Sequence, residues 1–268
     1  MADTDQSLKV AFRYDMATTT HQGARDYQED ALLSQAAGPD VLGSVVVADG
    51  LGGHAAGDVA SGIVSAEVFR QITAQNSDLL ACKADIPALL TTAARTANTQ
   101  VGVHAKAHAE TYGMGSTLLA TIIVDNALSW ASIGDSPLYL YRDGALQQLS
   151  ATHSMAPQID MLVKIGALSE QEGRDHPSRH TLTSVIRGRD IKAIDCPKTP
   201  TMLCDGDIVI VSSDGLQYLS DPQISDILDA TSQQSAQKIA DALLAALENL
   251  GDPEQDNIAF AVIKCARD

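Results

Sequence analysis

Several acids stand where an apolar, strand-like run meets a glycine or a turn. Asp49 follows Val45-Val46-Val47-Ala48, Asp135 follows Ile133-Gly134, Asp214 follows the run from Ile208 to Ser213, and Asp256 precedes the run from Ile258 to Lys264. Glu29 and Asp30 stand just ahead of Ala31-Leu32-Leu33. A strand that stops at a carboxylate presents it where the sheet opens to solvent. Such acids gathered together make an all-oxygen set, which suits Mg²⁺ or Mn²⁺ and not zinc or copper. Two such ions about 3.5–4 Å apart can hold a bridging water, lower its pKa and clamp the oxygens of a phosphoryl group during in-line attack. Arg25, planar and always charged, can bind that phosphate bidentately.

The stretch from Val45 to His54 carries the densest signal. Gly50, Gly52 and Gly53 can take positive φ or let a ligand approach the backbone, so a carbonyl beside Asp49 can also reach an ion. Read alone, the pattern is weak. A tight strand-to-helix connection with a solvated Asp uses the same residues.

These side chains need elements to hold them. Strand-like runs cover Leu8 to Thr20, Gly113 to Val124, Ala127 to Ile133, Pro137 to Arg142, Ile191 to Met202, Asp207 to Val211 and Ile258 to Lys264. Asp125-Asn126 and Asp143-Gly144 are hairpin signals, and Gly134-Asp135-Ser136 is a tight break, so residues 113 to 142 read as an antiparallel meander. Helical spacing of apolar residues runs from Asp58 to Ala74, from Pro87 through Val101, and from Gln233 to Leu250, where Gly251 and Pro253 end it. Residues from about 150 to 190 lack strong periodicity and read as a helical lid or flap. His104 and His108 are spaced as a metal pair, but no acidic or Cys partner stands near them in sequence.

Composition bounds the rest. At 268 residues and 45% hydrophobic, the chain can bury a large core without disulfides, and we expect one domain over residues 8–265 after a flexible segment at 1–7. A formal charge of −16 with no Lys or Arg cluster argues against nucleic acid and anionic membranes as partners. The four cysteines are scattered with no Cys-x-x-Cys pair, which fits reduced core residues. No run approaches a membrane span in length, and a cytoplasmic monomer is the expectation.

Taken in order, the motifs Arg25-Asp-Tyr-Gln-Glu-Asp30, Ala48-Asp-Gly-Leu-Gly-Gly-His54, Gly113-Met-Gly-Ser-Thr117, Ile133-Gly-Asp-Ser136, Ser213-Asp-Gly-Leu216 and Asp256-Asn257 resemble those of the type-2C metal-dependent protein serine/threonine phosphatases, the PPM family, in its compact bacterial form. The resemblance implies an α+β fold, a four-layer α-β-β-α sandwich of two antiparallel sheets flanked by helical pairs. It implies hydrolysis of phosphoserine and phosphothreonine by a water or hydroxide bridging two Mn²⁺ or Mg²⁺ ions, with phosphorylated proteins as partners, a Ser/Thr kinase or its substrates among them. By similarity, Asp49 bridges two metals, the Gly50 carbonyl ligates one, and Asp214 and Asp256 complete the first site. Glu29 and Asp30 hold the second ion, Asp135 with Asp214 binds a third, weaker one, and Arg25 grips the substrate phosphate. Asn257 supports Asp256.

Some positions depart from the family pattern. Gln28 stands where Asn is usual, Pro137 where Arg is common, and Leu51 where animal members carry a His proposed as general acid. His54, three residues later, is then either the acid catalyst or a turn-stabilising residue. The flap at 150–190 is the family's most variable region, and its His153, Arg174, His176, Arg179 and Arg187 are candidates for substrate contacts. Two other readings are a small-molecule phosphohydrolase and an inactive phosphopeptide-binding module; the second would expect a metal carboxylate replaced, and none is.

Overall fold

Alternation of short apolar strands with a few long helices gives the chain two sheets and two helical layers. A computed structural model of the chain describes residues 12–38, 42–52, 55–81 and 85–267. One sheet contains β2 (Asp30–Gln35), β3 (Gly43–Leu51), β5 (Leu118–Val124), β6 (Ala127–Ile133) and β9 (Thr201–Met202), in that spatial order, with β4 (Gly115–Ser116) also paired to β3. The other runs β1 (Phe12–His21), β11 (Ile258–Arg267), β10 (Ile208–Ser212), β7 (Leu138–Arg142) and β8 (Ala145–Gln148). The named strand pairs are antiparallel.

Three apolar layers follow from this stacking. Val45, Val47, Leu119, Leu138, Val209, Val211, Ala261 and Ile263 fill the space between the sheets. Helices α1 (Ala55–Ala74) and α3 (Ile86–Ala107) cover the first sheet, with Ala60, Val64, Val68, Ala93, Ala97 and Val101 buried. Small residues on both helices let their axes approach closely. On the second sheet lie α6 (Asp221–Thr231) and α7 (Ala236–Leu250), which bury Ile224, Leu228, Ile239, Ala240, Leu243 and Leu247. Each fully buried Val, Leu or Ile contributes about 1.5–3 kcal/mol relative to exposure. The result is the expected four-layer α-β-β-α sandwich.

Capping explains where the helices begin and end. Ser235 accepts a hydrogen bond from the Lys238 amide at the start of α7, and Gly251, at φ 59°, closes it in the left-handed conformation. Asp125 and Asn126 at φ 47° and 59°, and Asp143-Gly144 at 51° and 80°, form the tight hairpin turns their types favour.

Two expectations change, and part of a third lies outside the described residues. The strand expected from Leu8 is described only from Phe12; residues 8–11 lie outside the described residues. Residues 113 to 142 are not one meander: β5 and β6 form a hairpin, but β7 pairs with β10 in the opposite sheet. Gly134-Asp135-Ser136 is therefore a crossing between sheets, turned by Gly134 at φ 106°. Of the extended piece expected over Ile191–Met202, only Thr201–Met202 forms a strand, against Ala127 and Leu128 of β6; Asp195 adds an isolated bridge to Ser132. Helix α6 has no counterpart in the sequence reading. Its signals were Pro222 in the first turn and Gln223, whose Oε1 accepts from the Ser220 amide at 2.9 Å.

Candidate active site

The acids converge because the sheets share one open end. Asp30 and Asp49 are register partners across β2 and β3, and their carboxyls share a hydrogen bond. Strand β3 runs past Asp49 to Leu51, since Gly50 pairs with Ser116. Gly50 must be glycine: a Cβ there would lie 2.2 Å from the Gly57 carbonyl oxygen and 2.6 Å from that of Glu29. Opposite Asp49 sits Thr117, whose amide donates to the Asp49 carbonyl at 2.9 Å and whose Oγ1 accepts from the Asp49 amide at 3.0 Å. The same hydroxyl lies 2.8 Å from Ser136 Oγ, tying the end of β3 to the crossing that carries Asp135.

The second sheet delivers Asp214 just after β10 and Asp256 just before β11. Buried Ser213 joins the two halves. Its Oγ donates to Asp30 Oδ2 at 2.6 Å across the sandwich and accepts from the Ala259 amide at 3.0 Å.

Charge is the defining property of this bowl. Burial first, then Asp214, Asp30, Asp135 and Asp256, push the Asp49 carboxyl well above the carboxylate range. Asp214 is raised in the same way, by burial and then by Asp135, Asp256 and Asp30, with Arg25 pulling the other way. Burial raises Asp30 to about 7 and Asp135 to about 6. Repelling, oxygen-only donors in a partly buried site call for compensating cations, and hard divalent ions match them. Among the described residues, no three of these side chains close into a finished ligand cage.

At the rim, Arg25 donates through Nη2 to Asp256 Oδ2 at 2.6 Å and is half exposed. The Glu29 side chain reaches over Gly57 at the start of α1, where an added Cβ would meet its Oε1 at 2.3 Å.

Residues 18–249 match the protein phosphatase 2C family. The chain belongs to that family. It is 29% identical over 224 residues to the serine/threonine phosphatase Stp of Listeria welshimeri, covering 82% of this chain and 83% of the relative. With the protein phosphatase PhpP of Streptococcus pneumoniae it shares 30% over 228 residues, 82% of this chain and 84% of the relative. The fold superposes on the catalytic domain of the serine/threonine phosphatase PstP, crystallised with two manganese ions, at a TM-score of 0.72. That match is 28% identical and covers 96% of this chain and 100% of that one.

In this protein phosphatase 2C, Gln28, which stands where Asn is usual, links β1 to β2. Its Nε2 donates to the His21 carbonyl at 3.1 Å while its Oε1 accepts from the Asp30 amide at 3.0 Å. The longer side chain spans the Arg25 loop and still orients Asp30. His54 lies outside the described residues. Of the segment-150–190 candidates, Arg174 pairs with Glu170 at 3.4 Å and Arg179 with Asp160 at 2.7 Å, both inside that segment. His153 turns inward, its backbone amide donating to the Gly134 carbonyl at 2.8 Å and its Nδ1 accepting from the Gly134 amide at 3.3 Å. His104, near the end of α3, and His108, just beyond it, stack with ring centroids 4.1 Å apart.

Sequence reasoning passed over Ser213 and Thr117 as anything beyond motif positions, since a hydroxyl bridging two strands leaves no spacing signal. It also expected Asn257 to support Asp256. The Asn257 backbone amide donates to Asp256 Oδ1 at 2.8 Å, and its side chain in addition binds the loop that carries Arg25.

Proposed function

We propose that this phosphatase hydrolyses phosphoserine and phosphothreonine in proteins, with Mn²⁺ or Mg²⁺ held in the carboxylate bowl. The observation that carries the reading is the convergence of Asp30, Asp49, Asp135, Asp214 and Asp256 on one site, each raising another's pKa or sharing its hydrogen bonds, with the Arg25 guanidinium at the rim. Asp49 would serve two ions and the Gly50 carbonyl one of them. Asp214 and Asp256 would serve one, Glu29 and Asp30 the other, and Asp135 with Asp214 a third, weaker position. When bound, the ions supply an ionised water as the nucleophile and offset charge on the phosphoryl oxygens.

The chain's own residues do the positioning. Arg25 orients the phosphoryl group by charge-assisted hydrogen bonds and stabilises charge spreading over its oxygens. Thr117 and Ser213 fix the backbone of Asp49 and the carboxyl of Asp30, so the donors need not reorganise as charge moves. His54 is the candidate proton donor to the leaving serine or threonine oxygen. A His54→Ala variant should then lose more rate on alkyl phosphates than on aryl ones, whose leaving groups need no proton.

Residues 8–265 act as one phosphatase domain, with the segment at about 150–190 as its flap. The three described cysteines are free thiols, which suits a reducing compartment, and the proposal is a cytoplasmic monomer reversing Ser/Thr kinase signalling in a bacterium. The test is Mn²⁺- and Mg²⁺-dependent dephosphorylation of an autophosphorylated Ser/Thr kinase from the same organism, with chelation as control. Turnover confined to small phosphoesters would replace this reading with a small-molecule phosphohydrolase.

A further inference from the structure

Arg25 sits on the loop between β1 and β2, where Gln22 Nε2 donates to the Arg25 carbonyl at 2.6 Å and Gln28 Nε2 to the His21 carbonyl at 3.1 Å. A segment more than 220 residues later also holds the loop. Asn257, buried to 4% exposure, donates through Nδ2 to the carbonyls of Gln22 and Tyr27, each at 2.8 Å, and accepts from the Glu29 amide through Oδ1 at 2.8 Å. One amide thus grips the loop before and after Arg25.

Two further contacts repeat the attachment. The Ala24 amide donates to the Gln255 carbonyl at 2.8 Å. Gly23, at φ 63°, lies against the Asp256 backbone so closely that a Cβ would meet its carbonyl oxygen at 2.2 Å. The Arg25–Asp256 ion pair is the outermost link of this zipper. A long, half-exposed Arg loses rotamer freedom when it must point one way, and a loop fixed at both ends reduces what remains to be paid on binding.

We infer that Asn257 is a positioning residue for substrate phosphate: it fixes the 22–29 loop so that Arg25 faces the carboxylate bowl. The role rests on Arg25 binding phosphate. Asn257 does not itself touch the substrate; it acts through Arg25. Its side-chain amide makes three loop hydrogen bonds, so no residue lacking both a donor pair and an acceptor reproduces the grip.

The experiment is a double-mutant cycle on the Mn²⁺-loaded protein, using p-nitrophenyl phosphate as substrate and inorganic phosphate as competitive inhibitor. Arg25→Ala should raise KM and the phosphate inhibition constant about tenfold or more, the size of a lost charge-assisted hydrogen bond. Asn257→Ala should raise both about fivefold to tenfold with a smaller change in kcat. In the Arg25→Ala background Asn257→Ala should add almost nothing to either constant, because a residue acting through Arg25 has nothing left to position. Gly23→Ala, which pushes the same loop off Asp256 from the other side, should behave likewise and serves if Asn257→Ala fails to fold. Additive effects in the cycle, or an unmoved phosphate constant in Asn257→Ala and Gly23→Ala, overturn the positioning role while leaving Arg25 in place. An Arg25→Ala variant with unchanged phosphate inhibition removes the phosphate role of Arg25, and the positioning role with it.

Discussion

Arg25 and Asp256 meet at 2.6 Å across 231 residues of sequence, and the oxygen that Arg25 holds belongs to a carboxylate of the proposed metal bowl. Asp256 is doubly engaged: Oδ2 accepts from Arg25 and Oδ1 from the Asn257 amide at 2.8 Å. The proposed phosphate-binding Arg25 and the acid cluster are thereby built as one unit.

Loading that unit with metal should therefore be felt at Arg25. Arg25 and a cation compete for the same Asp256 oxygen, so Arg25→Ala should tighten Mn²⁺ binding modestly while it weakens phosphate. Isothermal titration with Mn²⁺ in the absence of substrate reads the first effect. Weaker Mn²⁺ binding in the variant would contradict it.

Asp49→Asn should separate activity from stability. Hydrolysis should fall by roughly a thousandfold or more, the scale of losing a central electrostatic group. The metal-free variant should at the same time be more stable, by about 1 kcal/mol, because one repelling charge leaves a buried cluster. Activity assays and denaturant melts in chelator give the two readouts. A variant that is both inactive and less stable would mean that Asp49 serves packing more than charge.

Stability of the metal-free protein should fall as pH rises toward neutrality. Burial lifts Asp135 to about 6 and Asp30 to about 7, and burial with neighbouring acids lifts Asp49 and Asp214 too. Between the ordinary carboxyl value and these raised ones the folded state binds more protons than the unfolded chain, so each step upward in pH favours unfolding. Calorimetry in chelator should give a higher melting temperature near about pH 5 than near about pH 7.5, and saturating Mn²⁺ should remove the slope. A metal-free melting temperature that climbs over this range would refute the buried-acid picture.

Ser213→Ala should cost about 1–3 kcal/mol, since it orphans the Ala259 amide and removes the donor to Asp30. With that donor gone, Asp30 should titrate higher still, because the hydrogen bond from Ser213 is the main influence lowering its pKa. Thermal melts give the first quantity and a carboxyl-resolved NMR titration of metal-free protein the second. An Asp30 that titrates lower in the variant would rule the link out.

Much of the site was legible because its parts are local. A β-branched run ending in Asp-Gly marks a buried strand with an acid at its mouth, and the chain shows this at Asp49 and again at Asp214. The strand runs, the three long helices and the two hairpin turns follow likewise from short-range periodicity and turn chemistry. Where the reading faltered, the deciding contact was distant. Gly134-Asp135-Ser136 reads equally as a hairpin or a change of sheet, and only the pairing of Leu138 with Val211 chooses. Helix α6 carries Ile224, Ile227 and Leu228 on one face, but over only 11 residues, so its apolar repeat spans little more than one turn.

By composition and order of motifs, the sequence by itself determined the family and singled out the acids that the proposed oxygen-only chemistry uses. Residue type carries those properties. The tertiary structure alone decided that Ser213 reaches Asp30 from the opposite sheet, that Thr117 joins Asp49 to the crossing beside Asp135, and that the Asn257 side chain holds the loop of Arg25 while its backbone amide holds Asp256. Each of these is a hydrogen bond between groups far apart in the chain. Its existence depends on how two sheets stack, and a hydroxyl or amide carries no mark in sequence of the partner that stacking will bring to it.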